Sequence, residues 1–516
     1  MRYSVMNRGI MSENTPPKSP PPLSKSPPPS DPHKVVDPPK SMSSNSGSRS
    51  GEIELGADEL TRGQPEREID RVKNSLFSRT LSLARISVKA GSSWAGKKIM
   101  QQDLTPGSED FKNFLKGQAA FLTQELGDLK GSMMKAGQML SLYGEHFLPP
   151  EANQLLKKLQ SQSPPIKWKT METYIRAALG ERWTELIIDE KALASASLGQ
   201  VHRAQVKETK QWLALKVQYP GVDRAIDSDL KALKMLLSVT KVLPADFNTD
   251  HIFAEVREML EQEVDYVSEM KLTQDFHENL KNDSRFIVPV VNERYCTKST
   301  LATSLERGLR VDDPLVANLS QERRDRLAMN FLELYLRELF EWQVVQTDPH
   351  PGNYALRLHP DGQDQWILYD FGASRKYETE FIHAYHRMIK GSLLGDKELF
   401  HSAARDLKFL KADDRQEIVD LFRDFCDTII EPFLSPDDPR NKGQIDAEGR
   451  YNYGTTRLPQ QVSQKVLKIV QKMIGRTPPR EILFLDRKTG GVFMIMSILK
   501  ANVNGREMLL KYLEKI

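Results

Sequence analysis

Residues Gln346 to Gly372, QTDPHPGNYALRLHPDGQDQWILYDFG, hold the densest group of chemically informative side chains in the sequence. Asp348 and Asn353 stand five residues apart, and Asp370 follows seventeen residues after Asn353, at the start of an Asp-Phe-Gly tripeptide. These three side chains offer carboxylate and amide oxygens, which are the ligand atoms that hard cations such as Mg²⁺ prefer. The spacing therefore predicts a cation site shared by two neighbouring loops.

A β-hairpin is predicted between Asn353 and Asp370. Tyr354–Leu358 and Trp366–Tyr369 read as short strands, and His359–Gly362 between them carries turn residues. A hairpin of this size returns the chain to its starting point. It therefore brings Asp370 back beside Asn353.

The same order of residues is typical of protein kinases. There a catalytic-loop Asp accepts the proton of the substrate hydroxyl, an Asn five residues later holds one Mg²⁺, and the Asp of Asp-Phe-Gly holds the Mg²⁺ that bridges the nucleotide phosphates. Either motif alone is common, but the two motifs joined by a hairpin are far more specific. The pattern predicts that Asp348 is the catalytic acid or base and that Asn353 and Asp370 are the metal ligands.

Residues 192–204 read ALASASLGQVHRA and occupy the place of the glycine-rich loop that covers the phosphates in a kinase. Alanine and serine replace most of the glycines, which makes the predicted loop stiffer. Its backbone amides and serine hydroxyls can still face phosphate oxygens. The predicted nucleotide contacts in this loop are Ala194, Ser195, Ala196 and Ser197.

The segment LALKV predicts a strand that carries Lys216, in the manner of the kinase lysine that contacts the α- and β-phosphates. Such a lysine needs an acidic partner on a helix. The apolar spacing of residues 251–280 predicts one helix, whose acidic residues include Glu263, Asp265 and Glu269. Glu269 is the favoured partner of Lys216.

The first 107 residues divide into two segments. Residues 1–66 are rich in proline and serine and predict a disordered tail, because they cannot bury enough apolar surface to offset the entropy of ordering. Residues 67–107 predict a basic amphipathic helix. Two interpretations remain open for it: attachment to an anionic membrane surface, or packing on the catalytic domain with a solvated basic face.

A helical cap is predicted over residues 108–180. One of its helices contains the motif KAGQ, which places Lys135 and Gln138 three residues apart on one helical face. Taken alone, the motif would be an ordinary helix segment in which Gly137 allows close packing.

Composition sets the outer limits on function. The 516 residues include 73 basic and 70 acidic side chains, and the net charge of +3 is too small to favour nucleic acid as a partner. Cys296 and Cys426 form neither a metal-ligand spacing nor a disulfide framework, which suits a reducing compartment. Residues 489–499 form an apolar stretch far shorter than the roughly 20 residues that span a bilayer. A cytoplasmic location is predicted, with peripheral attachment to a membrane left open.

The motifs KAGQ, ASASLGQVHRA, LALKVQYPG, EVDY, TDPHPGN and YDFG occur in the order found in the UbiB/AarF family of atypical kinase-like proteins. The chain resembles that family from about residue 108 to about residue 400. The resemblance implies an α+β, two-lobed protein-kinase-like fold with a family-specific helical cap over the active site and a helical C-terminal extension. It also implies ATP and Mg²⁺ as cofactors, and a role in ubiquinone or other isoprenoid lipid metabolism at membranes.

The resemblance implies roles for single residues. Lys216 and Glu269 would form the ion pair, Asp348 would be the catalytic-loop acid, and Asn353 and Asp370 would hold Mg²⁺. The implied cap residues are Lys135, Gln138, Glu263 and Asp265.

Two departures from the family pattern matter. The usual triple alanine of the loop becomes Ala194-Ser195-Ala196, which adds one hydroxyl to the phosphate cradle. Some members of the family carry hydrophobic membrane anchors, and this sequence shows none. The second departure gives more weight to the basic segment of residues 67–107.

The two predicted lobes are residues 181–306 and residues 307–516. Between them, Ser304 to Glu306 would form the hinge that contacts adenine, so Ser304 and Glu306 are predicted nucleotide contacts. The remaining expected elements are strands at Phe286–Val291 and Thr300–Ser304, and a long helix at Leu327–Val345.

The leading functional hypothesis is an ATP- and Mg²⁺-dependent atypical kinase or ATPase that supports isoprenoid quinone or lipid metabolism. Its expected partners are the nucleotide, an anionic membrane surface, and isoprenoid lipids or quinone-pathway proteins. One alternative is a small-molecule phosphotransferase, whose fold uses an Asp, an Asn and an Asp-Phe-Gly-like motif in the same way, although the KAGQ cap argues against it. The other is a nucleotide-binding scaffold without turnover, against which the intact set of catalytic residues argues.

Overall fold

The computed structural model of the protein describes residues 132–147, 165–196, 198–239, 249–472 and 480–515. The predicted tail of residues 1–66, the basic segment of residues 67–107 and Ser197 lie outside the described residues. The hypotheses about them stay predictions.

The secondary structure is mixed. The helices are α1 (Ser132–Phe147), α2 (Trp168–Leu179), α3 (Val222–Val239), α4 (Thr249–Glu263), α5 (Tyr266–Leu280), α6 (Pro314–Ala317), α7 (Gln321–Leu336), α8 (Thr379–Leu394), α9 (Lys397–Asp406), α10 (Gln416–Ile430), α11 (Leu458–Lys472), α12 (Arg480–Ile498) and α13 (Arg506–Glu514). The strands are β1 (Leu186–Ser195), β2 (Gly199–Val206), β3 (Trp212–Gln218), β4 (Phe286–Ile287), β5 (Thr300–Ser304), β6 (Val344–Gln346), β7 (Tyr354–Arg357), β8 (Gln365–Leu368), β9 (Ser374–Lys376), β10 (Tyr451–Asn452) and β11 (Asn502–Val503).

The smaller lobe is built on a four-stranded antiparallel sheet in the order β1-β2-β3-β5. Buried residues alternate with more exposed ones along β2 and along most of β3, as expected for a sheet with one face on a core. Apolar side chains of this sheet share one core cluster with residues of α1, α2, α3 and α4. Lys216 therefore lies on an inner strand, flanked by β2 and β5.

The prediction of one helix over residues 251–280 was wrong. The chain forms two helices, α4 and α5, which are separated at Val264 and Asp265. The Asp265 carboxylate accepts a hydrogen bond from Ser268 N at 3.0 Å and so caps the start of α5. An Asp that satisfies an otherwise unpaired N–H favours a new helix start over a continued helix.

The larger lobe contains most of the helices, the mixed sheet β4-β8-β7 and the pair β6-β9. The predicted hairpin is present, since β7 and β8 pair antiparallel with Tyr354 opposite Leu368. Of the strand predicted at Phe286–Val291, Phe286 and Ile287 form β4, and Val291 forms an isolated bridge to Thr303.

The helix predicted at Leu327–Val345 ends earlier than expected. After α7 the chain makes a π-helical turn at Arg337–Glu341, and Gln343 then adopts a positive φ of 55°. The left-handed conformation of Gln343 cannot continue a right-handed helix. The chain therefore leaves the helix and enters β6 just before the catalytic loop.

Helix α12 contacts both lobes. Phe484 belongs to the core cluster of the smaller lobe, whereas Ile482 and Leu485 belong to the core cluster of the larger lobe. Arg480 at its start also pairs with Glu258 of α4 at 2.7 Å. The helix is thereby fixed in position relative to both lobes. None of the described helices is long and apolar enough to cross a membrane.

Candidate active site

Lys216 lies between two carboxylates. Its Nζ atom is 2.6 Å and 2.9 Å from the two carboxylate oxygens of Glu269 on α5, and 3.2 Å from Asp370 Oδ2. The predicted pairing of Lys216 with Glu269 is therefore present, and its role in nucleotide binding stays a prediction. Burial alone would lower the pKa of Lys216, but Asp370 and Glu269 raise that pKa well above its usual value. The lysine consequently keeps its positive charge.

The hairpin between β1 and β2 lies against β3 and α5. A Cβ atom on Gly199 would lie 2.4 Å from the carbonyl oxygen of Val217 and 2.9 Å from the hydroxyl of Tyr266. Only glycine fits this close approach. The absence of a side chain at residue 199 thus brings the hairpin next to Lys216.

Two residues of the predicted phosphate loop form hydrogen bonds with other residues of the protein. Ser195 Oγ lies 2.9 Å from Tyr219 OH, and the Ala196 N–H donates to Gly199 O at 2.8 Å. A serine hydroxyl has one donor and two acceptor sites, so the bond to Tyr219 leaves capacity for a second partner, and contact between Ser195 and phosphate oxygens stays a prediction. Ala194 and Ala196 are exposed at the end of the hairpin.

Ala196→Gly is expected to change the ratio of ATP to ADP affinity by at least about threefold, because glycine widens the conformational range of the exposed turn. The melting temperature of the nucleotide-free protein should change little. Titration with both nucleotides measures the ratio, and Ala447→Gly in an exposed turn of the larger lobe is the matched control. Equal shifts, or none, in the two variants would show that the hairpin does not cover the phosphates.

The catalytic loop is held by a network centred on Gln346. The Gln346 side-chain nitrogen, Nε2, donates to Asp348 O at 2.9 Å and to Asp370 O at 3.3 Å. The Gln346 side-chain oxygen accepts a hydrogen bond from Tyr354 OH at 2.9 Å. Asn353 Nδ2 also donates to Asp348 O, at 2.9 Å. These bonds bring Asp348, Asn353 and Asp370 into one site, and their catalytic and metal-binding roles stay predictions.

The Asp-Phe-Gly motif is held in place by a hydrogen bond within the motif and by ring packing on α5. Asp370 Oδ1 accepts a hydrogen bond from Gly372 N at 3.0 Å. The ring of Phe371 packs on Phe276 of α5 with centroids 4.5 Å apart. Because α5 also carries Glu269, this packing holds the ion-pair helix and the predicted metal ligand together.

Asp370 and Asn353 suit Mg²⁺ by their chemistry. The Asn353 amide nitrogen is bonded to the backbone, so the oxygen is the end of the amide that can bind a cation. The Asp370 side chain is 31 % exposed. In the described part of the chain, no cluster of three or more His, Cys, Asp or Glu side chains could hold a metal alone. The donor set instead fits a cation that takes its remaining ligands from phosphates and water.

The cap helix α1 reaches the catalytic loop. Lys135 Nζ is 2.8 Å from Glu263 Oε1 at the end of α4 and 3.9 Å from Asp348 Oδ2. Ser132 Oγ donates to Asp229 of α3 at 2.5 Å, which anchors the start of α1. Lys135 therefore lies between the end of α4 and the Asp348 carboxylate.

The two other predicted cap residues take different places. Gln138 lies one turn after Lys135 on α1 and is partly buried. Asp265, grouped with Glu263 in the sequence prediction, instead caps α5. The predicted acidic pair thus divides into one partner of Lys135 and one structural cap.

Arg487 was missed by sequence reasoning. Its Nη2 atom is 2.6 Å from Asp348 Oδ1, although the two residues are 139 positions apart. The surrounding segment DRKTGG carries no phosphoryl-transfer motif, and its one local signal is the glycine pair that precedes Val492. A Cβ atom on Gly491 would lie 2.1 Å from Pro349 Cβ, so that glycine is what lets α12 approach the loop. Burial would raise the pKa of Asp348, but Arg487 and Lys135 hold that pKa below its usual value.

The predicted hinge contacts bind each other. Ser304 Oγ donates to Glu306 Oε1 at 2.8 Å, and Arg357 pairs with the other oxygen of Glu306 at 2.8 Å. Tyr369 OH donates to Glu306 O at 3.2 Å. These bonds fix the segment between the lobes, and contact with adenine there stays a prediction.

Comparison with known proteins identifies the family. Residues 158–403 match the model of the ABC1 atypical kinase-like domain. The chain is 30% identical over 445 residues to the rat (Rattus norvegicus) protein named atypical kinase COQ8B, mitochondrial, and the match covers 85% of this chain and 80% of the rat protein. The chain belongs to the ABC1 (UbiB/COQ8) family of atypical kinases. Both the expected family and the expected enzyme class, a phosphotransferase of atypical kinase type, are therefore confirmed.

Other relatives extend the ABC1 comparison. Identity is 32% over 382 residues to atypical kinase coq-8, mitochondrial, of Caenorhabditis elegans, where the match covers 73% of this chain but about half, 48%, of the nematode protein. It is 28% over 462 residues to atypical kinase COQ8, mitochondrial, of Saccharomyces cerevisiae, with 87% of this chain and 88% of the yeast protein covered. A solved structure of Rv3197 from Mycobacterium tuberculosis with erythromycin aligns with a TM-score of 0.51 at 25% identity, over 78% of this chain and 96% of that one. The expected α+β kinase-like fold is confirmed.

The ABC1 match does not cover every residue near Asp348. Residues 158–403 include Lys216, Glu269 and Asp370, but neither Lys135 nor Arg487. The two cations that flank Asp348 therefore come from helices on either side of the matched domain.

Lys135→Ala is expected to raise ATP hydrolysis or autophosphorylation by at least about threefold. The change removes the bond to Glu263 and leaves a partly buried carboxylate unpaired, so the cap should loosen over Asp348. Lys169→Ala, at an exposed position on α2, is the control. If nucleotide affinity, turnover and autophosphorylation all stay unchanged in Lys135→Ala, the cap does not act on the active site.

Proposed function

We propose that this ABC1-family chain is an ATP- and Mg²⁺-dependent atypical kinase or ATPase that supports isoprenoid quinone or lipid metabolism at a membrane surface. The observation that carries the proposal is the arrangement around Lys216. Its bonds to Glu269 and Asp370 join the smaller lobe to the Asp-Phe-Gly motif. Asn353, five positions after Asp348, bonds to the Asp348 backbone, and the β1–β2 hairpin lies against β3 and α5. This is the constellation that positions a nucleotide for phosphoryl transfer.

Each group has a distinct task in this proposal. Lys216 binds the α- and β-phosphates, and Glu269 holds the lysine in place. Asp370 and Asn353 hold Mg²⁺, which when bound supplies positive charge beside the phosphates. The hairpin residues Ala194, Ser195 and Ala196 cover the phosphates with backbone more than with hydroxyls, and Ser197 lies outside the described residues. Ser304 and Glu306 line the adenine side.

Phosphoryl transfer would proceed at Asp348. The bond between the γ-phosphorus of ATP and its bridging oxygen breaks, and the electron pair stays on ADP. An oxygen of the acceptor bonds to phosphorus, and its proton passes to the Asp348 carboxylate or to solvent. Lys135 lies 3.9 Å from that carboxylate, so water or a small molecule can reach it more easily than a folded protein segment.

The metabolic part of the proposal rests on the relatives. The rat, nematode and yeast proteins are named COQ8 or coq-8, and their names place them in mitochondria. We propose a mitochondrial site of action in preference to the cytoplasmic location predicted from composition. The basic segment of residues 67–107 would supply peripheral attachment to anionic lipid, with isoprenoid lipids or quinone-pathway proteins as partners.

ATP hydrolysis by the full-length chain tests the proposal. Turnover should require Mg²⁺, and anionic liposomes should raise it by more than neutral liposomes do. A panel of phenolic and prenylated compounds would show whether an acceptor is phosphorylated. Binding of ADP without hydrolysis or transfer under every condition would favour the nucleotide-binding scaffold and overturn the enzymatic proposal.

A small-molecule phosphotransferase is the second candidate. The observation that favours it is the Asp348 side chain, which is 15% exposed under the cap and so remains within reach of a small acceptor. Phosphorylation of one compound in the panel at a rate that exceeds hydrolysis would select this candidate.

A further inference from the structure

The catalytic loop between Asp348 and Asn353 contributes no lysine or arginine to the phosphoryl-transfer position. Between Asp348 and Asn353 the sequence is Pro-His-Pro-Gly, without lysine or arginine. His350 accepts a hydrogen bond from Gly352 N through Nδ1 at 3.0 Å. Transfer nevertheless places negative charge on the phosphoryl oxygens beside Asp348, and that charge needs a positive partner.

Three cations of the described chain lie near this position, and two of them are engaged elsewhere. Lys216 is bound to Glu269 and Asp370, and Lys135 is bound to Glu263 at 2.8 Å. Among the described residues, Asp348 is the one carboxylate within salt-bridge distance of Arg487. A guanidinium has five N–H donors in a planar fork, so a bond to one Asp348 oxygen leaves donors for a phosphoryl oxygen.

The backbone that carries Arg487 is rigidly placed. Lys488, the next residue, forms a buried pair with Glu338 at 2.9 Å, and Thr489 Oγ1 lies 2.8 Å from Tyr335 OH. Gly491 packs directly on Pro349, the residue after Asp348. These three contacts hold the backbone around Arg487 next to the catalytic loop, and the Arg487 side chain is 23% exposed.

We propose that Arg487 is a catalytic residue that binds the transferred phosphoryl group and stabilises the charge that develops on it. The proposal rests on the function proposed above and assigns to α12 the task that an arginine finger performs in other phosphoryl-transfer enzymes. In this structure Arg487 binds Asp348. On transfer it shares its donors between that carboxylate and the phosphoryl oxygens.

The test compares Arg487→Met and Arg487→Lys with wild type in the full-length chain. Arginine fingers contribute about 10³–10⁵-fold to turnover, so Arg487→Met should lose at least about 100-fold in ATP turnover. Its affinity for Mg²⁺-ADP should stay within about threefold of wild type. Its affinity for ADP with aluminium fluoride, which mimics the phosphoryl group in transfer, should fall in parallel with turnover. Arg487→Lys should recover part of both losses.

Asp348→Asn provides the background that separates a phosphoryl contact from mere positioning of Asp348. If Arg487 acts only through the Asp348 carboxylate, adding Arg487→Met to Asp348→Asn will cause no further loss of aluminium fluoride binding. The proposal expects a further loss of at least about tenfold. Arg480→Met, at the exposed start of the same helix, is the control for general damage to α12.

The outcomes are distinct. Unchanged or faster turnover in Arg487→Met would overturn the proposal, since the arginine would then merely lock Asp348. Loss of ADP affinity equal to the loss of aluminium fluoride affinity would also overturn it. A wild-type chain that neither hydrolyses ATP nor binds ADP with aluminium fluoride would instead contradict the proposed function itself.

Discussion

Asp370→Asn is expected to lower Mg²⁺-dependent ATP turnover by at least about 100-fold. The substitution keeps the shape of the side chain but removes the one carboxylate charge proposed as a ligand of a hard cation. Loss of several kcal/mol of metal-derived stabilisation corresponds to roughly a hundredfold or more in rate. Nucleotide affinity should lose its dependence on Mg²⁺, and titration of ADP with and without the cation measures this.

Two matched variants sharpen the Asp370 experiment. Asp361 lies in the exposed turn of the same hairpin, so Asp361→Asn should leave turnover unchanged. Asp348→Asn should reduce turnover by about 10²–10⁴-fold while ADP affinity is kept, because Asp348 acts in chemistry rather than in binding. Wild-type turnover in Asp370→Asn would remove this residue from the metal site. Loss of ADP binding in Asp348→Asn would require a new role for that residue.

The residues of the larger motifs could be predicted because their order along the chain implies their geometry. A hairpin of fixed length joins Asn353 to Asp370, so the turn residues between them were enough to bring the two together. The strand that carries Lys216 showed the β pattern, and the acidic helix showed the apolar stripe. For these residues the local sequence pattern was enough to predict their position in the fold.

Other features of the structure could not be predicted from the sequence, most of them because they depend on contacts between distant segments. Arg487 reaches Asp348 across 139 residues, and only the fold brings α12 to Pro349. The break before α5 was missed for a local reason, since no glycine or proline marks it and the capping role of Asp265 was not recognised. The bond between Ser195 and Tyr219 could not be predicted either, because the sequence alone does not place Tyr219 beside the loop.

The second large effect is expected from Lys488→Met. Lys488 and Glu338 are 1% and 2% exposed and lie 2.9 Å apart, and Glu338 Oε2 also accepts a hydrogen bond from Gln346 N at 3.1 Å. Removing one member of a buried ion pair leaves the other charge uncompensated, which costs about 3–5 kcal/mol in the free energy of unfolding. Denaturant unfolding should show this loss, and turnover should fall too, because Gln346 holds the backbone at Asp348 and Asp370.

The pH dependence identifies the cause of that loss. Burial raises the pKa of Glu338 even though Lys488 opposes the change, so without Lys488 the pKa should rise further. A protonated Glu338 needs no cation, so the destabilisation should be smallest at acid pH and should grow as pH rises through the folded-state pKa of Glu338.

Lys488→Met with Glu338→Gln should recover most of the stability at neutral pH. Lys511→Met, at an exposed position on α13, should change stability by less than about 0.5 kcal/mol. If Lys488→Met costs the same at every pH and the double variant recovers nothing, the loss comes from packing of α12 and not from the charge of Glu338.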